Sequence, residues 1–552
     1  MLRTFERTHG SIGACAPLGA RTPIDRGGAS DGKLQSWLSR LGALGVVSAC
    51  LTLTTDADAH RCAPVEHAPI VHTCDGALRG TSSHGVDRFL GIPYARPPVG
   101  ALRWRPPRPP ARWRGIRAAD TLPPRCAQWG DGVEDCLYLN VYRPTHAKRR
   151  GRLPVLFYIH GGAYKVGSAI DNDPSRIAKL TDTVVVMINY RLGPFGFLAH
   201  PTLSAEARDG TSGEYGLLDQ QAALEWVHDN IDAFGGDPRN ITIAGASAGG
   251  WSVCAHLTSP RVAGLFSRAV IQSGDCVALT RAEAEGEGLE FAEAAGCEDA
   301  PSSECLRRKT AEELLAADSW DVRYRPIVGG RVLPEDPDAA IAAGRFSRVP
   351  VLLGSARDEY RGDLAAWYPM TEDTFVFLVN DAFEDDAPAV LAEYPLVEFE
   401  DPAYAFAEIL VNSGFPGIGG CATRHLALNL ARHVPVYRYE FYDQGAPVPG
   451  WLTIPPDYEL GASHGTDEMY WFDRPFHTVV PLDAMQEKLA NQMVEYLGAF
   501  AEHGAPKAKH QPSWPRFESK REVVMRLAPH AVEPRTDFDD EHRCDFWSSL
   551  GY

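Results

Sequence analysis

The stretch Asn240-Ile-Thr-Ile-Ala-Gly-Ala-Ser-Ala-Gly-Gly250 joins an apolar strand pattern to a glycine-rich turn. Its β-branched start predicts a short strand at 241–244, and the run 251–257 behind it is compatible with a helix. Between them, 245–249 match G-x-S-x-G, in which small residues on both sides of the serine let a strand and a helix approach closely. The pattern predicts a nucleophile elbow with Ser247 at its tip. The alternative is a glycine-rich turn with an incidental serine.

The length and the charge of the chain limit the classes of protein to which it could belong. The chain has 552 residues, and its hydrophobic content of 44% is ordinary for a globular protein with a large core. The formal net charge of −18 argues against nucleic acid as a partner and favours solubility. No interior run reaches about 18 consecutive apolar residues, so we expect no helix that spans a membrane.

Residues 1–59 differ from the rest and are predicted to be a leader with an export signal. The run 41–53 is apolar and follows an arginine, like the core and basic flank of a signal sequence. Ala-Asp-Ala at 57–59 resembles a processing site that would leave His60 first, whereas Val-Ser-Ala-Cys50 resembles a bacterial lipobox that would place a lipid anchor on Cys50. Either signal predicts a secreted, periplasmic or cell-surface protein. The alternative is a disordered leader with a chance apolar patch.

The cysteines agree with an oxidising compartment. Of twelve cysteines, ten follow the leader, and three close pairs suit short disulfide loops, namely 62/74, 126/136 and 297/305. Cys254 and Cys276 lie in apolar runs and are interpreted as free buried thiols, although the alternative is that they pair with each other. No C-x-x-C occurs, so the cysteines do not predict a zinc site.

Behind the leader, apolar strands alternate with helices. Buried strands are predicted at 137–142, 154–160, 183–189, 268–272, 349–353 and 435–441. Helices are predicted at 217–230 and 487–503. The alternation predicts an α/β fold with a large, mostly parallel sheet flanked by helices. We expect 89–100 to be turn-rich, and long irregular insertions near 280–345 and 360–420 to form walls over the carboxyl edge of the sheet, where active sites of such folds lie.

A serine hydroxyl is a weak nucleophile, so Ser247 needs a base to take its proton and an acid to orient the base. Where the nucleophile lies on such an elbow, the partners follow in the order serine, acid, histidine. Asp358 and Glu359 come directly after the strand 349–353, and position alone does not choose between them. The alternative for both is a solvated turn carboxylate, the usual state of these residues.

The histidines after Glu359 are the candidates for the base. They are His425, His433, His464, His477, His503, His510, His530 and His542. His464 lies in a loop of small residues, 461–465, that is able to bring an imidazole over the serine. We expect His425 in a helix, His503 near a helix end, and the last three in polar tails. The default for any of them is a surface histidine.

An oxyanion hole needs backbone N–H groups that point at the developing negative charge. One donor is expected from the residue after the nucleophile, Ala248, and others from a glycine-rich loop. His160-Gly-Gly-Ala-Tyr164 follows a predicted strand and has the form of such a loop, with Ala163 at the position of a third glycine. The alternative is an ordinary turn at a strand end.

Taken together, these motifs resemble the type-B carboxylesterase family, relatives of the cholinesterases within the α/β-hydrolases. The matching stretches run in order over about 66–549: 89–100, 134–140, 160–164, 189–193, 215–220, 229–238, 245–249, 272–274, 358–359, 463–465 and 544–547. The resemblance implies an α/β-hydrolase fold, with 60–552 as one catalytic domain. It also implies hydrolysis of small carboxylic esters through an acyl-enzyme.

The resemblance assigns roles to individual residues. It implies Ser247 as the nucleophile, Glu359 as the acid and His464 as the base, with oxyanion N–H donors at Gly162, Ala163 and Ala248. It implies three disulfides and one ion pair, which are Cys126–Cys136, Cys297–Cys305, Cys421–Cys544 and Arg103–Glu134. It implies no metal and no organic cofactor. The helix 487–503 is similar to one that pairs dimers in relatives, so a homodimer is a hypothesis.

Two departures from the family pattern bear on the substrate. Ala246 stands where the family usually has glutamate, which removes a carboxylate near the serine and weakens the case for a cationic substrate. The loop between Cys126 and Cys136 has nine residues, whereas in cholinesterases it is long and carries the choline-binding tryptophan. Trp129 is a poor substitute by position, so a cholinesterase is not predicted. The remaining alternatives are a lipase or detoxifying esterase with the same chemistry, and a non-catalytic binding member of the fold.

Overall fold

The structure, a computed structural model, describes residues 68–147, 152–298, 302–415, 417–473, 475 and 480–552. Their strands, numbered in chain order, are β1 Ile70–Thr73, β2 Gly76–Arg79, β3 Thr81–Ser83, β4 Val86–Pro93, β5 Ile116–Ala118, β6 Tyr138–Pro144, β7 Leu153–Ile159, β8 Val184–Ile188, β9 Gly236–Ala246, β10 Arg268–Gln272, β11 Val351–Ala356, β12 Val436–Phe441, β13 Val524–Ala528 and β14 Ala531–Arg535. The leader at 1–59 lies outside the described residues, so the domain boundary at 60 stays a prediction.

Eleven of these strands form one sheet, in the order β14-β13-β12-β11-β10-β9-β7-β8-β6-β4-β3. Every neighbouring pair from β13 to β8 is parallel. The strands at both margins pair antiparallel. All residues of β7, β8, β11 and β12 are buried, as expected for parallel strands covered on both faces. The predicted α/β fold with a mostly parallel sheet is confirmed.

The helices of the described residues are α1 Ser175–Thr181, α2 Gly193–Phe197, α3 Pro201–Glu206, α4 Tyr215–Asn230, α5 Ala248–Thr258, α6 Arg281–Ala294, α7 Ser302–Arg308, α8 Ala311–Ala317, α9 Pro337–Ala342, α10 Arg361–Leu364, α11 Glu372–Phe383, α12 Ala387–Glu393, α13 Pro402–Ser413, α14 Gly420–Ala431, α15 Glu468–Trp471, α16 Ala484–His503, α17 Phe538–His542 and α18 Cys544–Leu550. They cover both faces of the sheet. Leu224 of α4 and Val253 of α5 share one apolar cluster with Ile243. Met493 of α16 and Leu156 of β7 belong to a second apolar cluster, on the opposite face of the sheet.

The insertions at 280–345 and 360–420 are helical, so the expectation of irregular segments was wrong. Local capping explains several of these helices. Thr280 and Glu283 form a capping box at the start of α6, and Thr310 and Glu313 form another at the start of α8. Asp401 caps α13, whose first residue is a proline. The first residues of the segment predicted to be turn-rich belong instead to β4.

Four disulfides join described cysteines. Cys126–Cys136, Cys297–Cys305 and Cys421–Cys544 are formed, as predicted. Cys254 and Cys276 also form a disulfide, so their interpretation as free thiols was wrong. The reason is tertiary, because α5 packs on β10 and brings the two cysteines together. Cys74 has an exposed free thiol, and its predicted partner Cys62 lies outside the described residues.

No helix in the described ranges combines the length and the apolar character needed to cross a bilayer. The long helix α16 is instead amphipathic, and it buries Leu489, Met493, Val494 and Phe500 against the sheet of its own chain.

We expect the loss of Cys421–Cys544 to destabilise the protein more than the loss of Cys297–Cys305. The first bond links residues 123 positions apart and the second residues 8 apart. A longer closed loop restricts the unfolded chain more, which makes the difference about 2 kcal/mol in free energy of unfolding. Urea unfolding of the two double-alanine variants measures it. Equal shifts of the unfolding midpoint would contradict the loop-length explanation.

Candidate active site

Ser247 lies between the end of β9 and the start of α5, at the predicted elbow. Its φ of 56° and ψ of −123° are rare for a residue with a side chain and cost about 1–3 kcal/mol. The N–H of Ser247 donates to the carbonyl of Gln272 at 2.9 Å, and its own carbonyl accepts from the N–H of Trp251 at 3.0 Å. These bonds hold the serine in the sharp strand-to-helix turn.

The two glycines of the elbow are required by close packing. A Cβ on Gly249 would collide with the carbonyl oxygen of Ile159 at the end of β7. A Cβ on Gly245 would lie 2.8 Å from the same oxygen and would also collide with the backbone of Gly249. The G-x-S-x-G pattern therefore reflects contact between α5 and two strands.

Glu359 follows the end of β11 and contacts His464. Nδ1 of His464 lies 2.6 Å from Oε2 of Glu359, and the N–H of His464 donates to the carbonyl of Glu359 at 3.1 Å. The other oxygen of Glu359 accepts from the N–H of Ala356 at 2.8 Å. The Glu359 side chain is 1% exposed and the His464 side chain 28% exposed, so the carboxylate is buried while the ring stays accessible.

Asp358, the other candidate acid, contacts different groups. Its carboxylate accepts from Nε2 of Gln444 at 2.7 Å and from the N–H of Ala462 at 3.0 Å, and it lies 3.3 Å from Nε of Arg361. It therefore fixes the backbone of the histidine loop, while Glu359 contacts the imidazole.

Two opposing effects set the charge of His464. Burial lowers the pKa of the ring, but the carboxylates of Glu359, Asp363 and Asp467 together raise it, so the pKa lies at about 9, above the ordinary value of 6.5. Among the described residues, the imidazole is hydrogen-bonded to the carboxylate and not to the hydroxyl of Ser247. The structure thus joins two of the three predicted residues directly and holds the third at the same edge of the sheet.

The remaining histidines lie elsewhere. His425 is in helix α14 beside Asp338, and the rings of His503, His510 and His530 are exposed, as expected. His542 was wrongly assigned to a polar tail. It is fully buried, with Nε2 2.6 Å from Glu440 and Nδ1 2.7 Å from Asn412.

His433 and His477 complete the group of eight candidates. His433 is part-buried, with Nε2 3.4 Å from the carbonyl of Ala342, and His477 lies outside the described residues. His464 is therefore the one candidate, within the part of the chain that the structure describes, that pairs with a carboxylate directly after a parallel strand.

The loop after β7 lies directly against the elbow. A Cβ on Gly161 would be 2.8 Å from the carbonyl oxygen of Ala246 and 3.1 Å from Cβ of Ser247. Gly162 has a φ of 104°, and Ala163 has a φ of 54°. The alanine therefore adopts a left-handed conformation that costs about 1–2 kcal/mol for a residue with a Cβ. Ala163 therefore takes the backbone conformation of the third glycine in this loop, although it carries a Cβ.

The N–H groups of this loop and of the elbow are available to a ligand. None of the backbone hydrogen bonds among the described loop residues uses the N–H of Gly162 or Ala163. Ala248 is the first residue of α5, so its N–H has no acceptor within the helix. The predicted donors thus lie in a loop that packs against the elbow and at the N-terminus of α5, whose partial positive charge favours an anion.

Arg103 forms the ion pair that the resemblance implied, and Trp129 packs beside Lys165. Nε of Arg103 donates to Oε2 of Glu134 at 2.7 Å, which confirms the ion pair. The ring of Trp129 lies 5.2 Å from the ammonium of Lys165, and its Nε1–H donates to the carbonyl of Leu315 at 3.1 Å. Trp129 is thus part of the wall beside the glycine-rich loop.

The sequence reasoning missed two carboxyls, Asp363 and Asp467, whose charges raise the pKa of His464. Burial in turn raises the pKa of each to about 6. A signal was available for both. Asp363 comes four residues after Glu359, and Asp467 three residues after His464, so both are close to the candidate acid and base along the chain.

Comparisons with known proteins agree with this geometry. A family model described as the Carboxylesterase family matches residues 67–547. Pyrethroid hydrolase Ces2e of Rattus norvegicus is 34% identical over 83% of this chain and 86% of its own length. Fumonisin B1 esterase of Sphingopyxis macrogoltabida is 34% identical over 90% of this chain and 94% of its own. The solved structure of PNB esterase superposes with a TM-score of 0.73 at 30% identity, covering 87% of this chain and 100% of that chain. The chain therefore belongs to the carboxylesterase family of α/β-hydrolases and is an enzyme that hydrolyses carboxylic esters.

Proposed function

We propose that this carboxylesterase acts through a triad of Ser247, His464 and Glu359 and an acyl-enzyme intermediate. The main support for the proposal is the distance of 2.6 Å between Nδ1 of His464 and Oε2 of the buried Glu359. This pair lies at the edge of the sheet where β9 ends, directly before Ser247. A serine on an elbow, a base and a buried acid are the parts that acyl transfer requires.

Each group has one role in the proposed reaction. Oγ of Ser247 attacks the ester carbonyl while Nε2 of His464 takes its proton, and Glu359 stabilises the imidazolium that forms. The N–H groups of Gly162, Ala163 and Ala248 hold the tetrahedral oxyanion, each contributing on the order of a hundredfold in rate. His464 then gives its proton to the leaving alcohol, and water hydrolyses the acyl-enzyme by the same steps.

The serine–histidine hydrogen bond forms, in this mechanism, when substrate binds. Catalytic hydrogen bonds are often absent or long in free enzymes and tighten in the complex. The backbone of Ser247 is already fixed on both sides by hydrogen bonds with Gln272 and Trp251.

A detoxifying esterase is the second candidate for the substrate class. It is favoured by the relatives, one named a pyrethroid hydrolase and the other a fumonisin B1 esterase. A lipase would keep the same chemistry. A non-catalytic binding protein is disfavoured, since members that only bind are expected to lose the serine or the histidine, and both are present here.

We also propose that the protein is exported. Four disulfides in the described residues fit an oxidising compartment. The intact mass of the protein isolated from its own cells tests the two signals. A chain that begins at His60 supports a free secreted enzyme, a lipidated Cys50 supports an anchored one, and an uncut leader would contradict export. The homodimer through α16 stays a hypothesis.

Replacing Ser247 with alanine tests the nucleophile. We expect Ser247→Ala to abolish hydrolysis of p-nitrophenyl butyrate and labelling by a fluorophosphonate probe, because no other hydroxyl then lies on the elbow. Ser273→Ala is the matched control, since Ser273 also follows a parallel strand and also has a positive φ, of 45°. Retained labelling of the first variant, or its loss only in the second, would show that the nucleophile is misassigned.

The pH dependence tests the base and the acid. Only the neutral imidazole accepts the serine proton, so kcat/KM falls as the pH drops through the pKa of His464. Because Glu359 raises that pKa, the acid limb should lie above pH 6.5 in the wild type. Glu359→Gln removes the charge, so we expect the limb to move to lower pH and kcat to fall by roughly a thousandfold or more.

Asp358→Asn is the control for this measurement, because it neutralises the neighbouring carboxylate, which contacts Gln444 and Ala462 rather than the ring. Its acid limb should stay near that of the wild type. An unchanged limb in Glu359→Gln, or an equal shift in Asp358→Asn, would contradict the assignment of Glu359.

A further inference from the structure

A buried lysine directly follows the glycine-rich loop, and the triad makes no use of it. Lys165 comes one residue after Tyr164, and its side chain is only 4% exposed. An ammonium is costly to bury, so a lysine is rarely found inside a protein without a specific partner. The charge of this lysine, two residues after the candidate donor Ala163, therefore requires an explanation.

The ammonium of Lys165 contacts the segment 315–324, which belongs to the first helical insertion. It donates to the carbonyl of Ser319, and it lies 3.6 Å from Oδ1 of Asp318, whose side chain is 2% exposed. The hydroxyl of Tyr324 donates to the same carboxylate oxygen at 3.0 Å, and the Tyr324 ring lies 4.6 Å from the ammonium. The charge of Lys165 is thus paired and hydrogen-bonded, as a buried ion pair must be.

Two tryptophans also lie around the ammonium. The rings of Trp129 and Trp320 are 5.2 Å and 5.7 Å from Nζ of Lys165, and they are 4.9 Å from each other. Trp129 belongs to the short disulfide loop, and its Nε1–H donates to the carbonyl of Leu315 at 3.1 Å. Lys165 therefore joins three segments that are distant in the chain, namely the glycine-rich loop, the disulfide loop and the insertion.

The backbone that precedes Lys165 needs support from outside the loop. Gly162, Ala163 and Tyr164 have φ values of 104°, 54° and 60°, and the last two residues carry a Cβ. Such conformations persist only where the surrounding structure holds them in place. The N–H of Lys165 donates to the carbonyl of Gly162 at 2.9 Å, so the residue that closes this turn is also the one whose side chain is anchored in the insertion.

A gain in stability does not by itself account for the buried pair of Lys165 and Asp318. The removal of two charges from water is costly, and apolar residues of similar volume often stabilise a protein as well or better. A buried, hydrogen-bonded pair does fix geometry, because its bonds require one arrangement of the two segments. Geometry matters most where backbone N–H groups must point at a developing charge, and the turn that Lys165 closes carries two of the proposed donors.

We propose that Lys165 is a positioning residue of the oxyanion hole. Its ammonium ties the turn at 162–165 to the insertion, and it thereby holds the N–H groups of Gly162 and Ala163 in the geometry that the tetrahedral intermediate requires. In this role Lys165 acts through the backbone and does not touch the substrate. The inference rests on the oxyanion hole proposed above and names the contact that keeps it in shape.

Lys165→Met tests the role, because methionine has a similar length but lacks the charge and the donors. We expect kcat for p-nitrophenyl butyrate to fall by about ten- to a hundredfold, a part of what the loss of a whole oxyanion donor costs. KM should stay within about twofold, since the donors stabilise the transition state more than the bound ester. A trifluoromethyl ketone, which forms an oxyanion on the nucleophile, should bind more weakly by the same factor as the fall in kcat.

Lys309→Met is the matched control for the loss of an ammonium. Lys309 lies close to the start of α8, but its side chain is 30% exposed, and its ammonium is 3.8 Å from Glu313. Its kcat and KM should equal those of the wild type. An unchanged kcat in Lys165→Met, an equal fall in Lys309→Met, or a rise of KM alone would overturn the positioning role.

The double variant Lys165→Met with Asp318→Asn separates positioning from stability. The single change leaves a buried carboxylate without its cation, which lowers the urea midpoint of unfolding. Asparagine removes that charge and still accepts the hydrogen bond from Tyr324. The double variant should therefore unfold at a higher urea concentration than the single one, while its kcat stays low. If kcat recovers together with the midpoint, Lys165 serves only stability and the proposal is wrong.

Labelling to completion with the fluorophosphonate probe counts the folded sites, so kcat per labelled site is defined even for a partly unfolded variant. The two levels of hypothesis fail differently. If the wild type is not labelled and does not hydrolyse the ester, the triad mechanism fails. If the wild type is active and Lys165→Met equals it in kcat and in affinity for the ketone, only the positioning role fails.

Discussion

The contact between Gly249 and the carbonyl oxygen of Ile159 is the constraint on which the site depends. It leaves no room for a Cβ, so α5 meets the end of β7 at backbone distance. The same approach forces Ser247 into a positive φ and brings the loop at 161–163 against the elbow. One packing contact therefore positions the nucleophile and the candidate oxyanion donors together, and the strain at the serine is stabilised by the buried sheet beneath it.

The second constraint on the site is the negative charge around His464. Three carboxyls, from Glu359, Asp363 and Asp467, act on a single imidazole. Of these, Glu359 makes the direct contact and is deeply buried, which makes its charge act strongly on the ring. Such an environment stabilises the imidazolium formed during attack, but it also lowers the fraction of neutral base at rest. The site thus gains transition-state stabilisation at the expense of activity at low pH.

The parts of this fold that could be predicted are those encoded by local pattern. Buried parallel strands appear as continuous apolar runs, so the strands at 153–159 and 268–272 were found nearly to the residue. The elbow was recognisable because the close approach of α5 and the strands leaves no space for a Cβ at its two glycines. Position alone did not choose between Asp358 and Glu359, because both follow the same strand. The family resemblance favoured Glu359, and the fold shows that its oxygen is the one in contact with the imidazole.

Errors arose where a contact depends on distant segments or where a local signal was overlooked. The Cys254–Cys276 bond exists because α5 packs on β10, and the burial of His542 depends on the docking of the C-terminal segment near Cys421–Cys544. The helices of the insertions, by contrast, had readable caps at Thr280 and Thr310. A search for strands and motifs alone ignores such caps, so the walls of the site were predicted least well.

In one of those walls, a lysine side chain lies among aromatic rings. The rings of Trp129 and Tyr324 lie 5.2 Å and 4.6 Å from the ammonium of Lys165, which also lies 3.6 Å from Asp318. The chain's own lysine therefore occupies the aromatic site beside the glycine-rich loop, and its charge is balanced there.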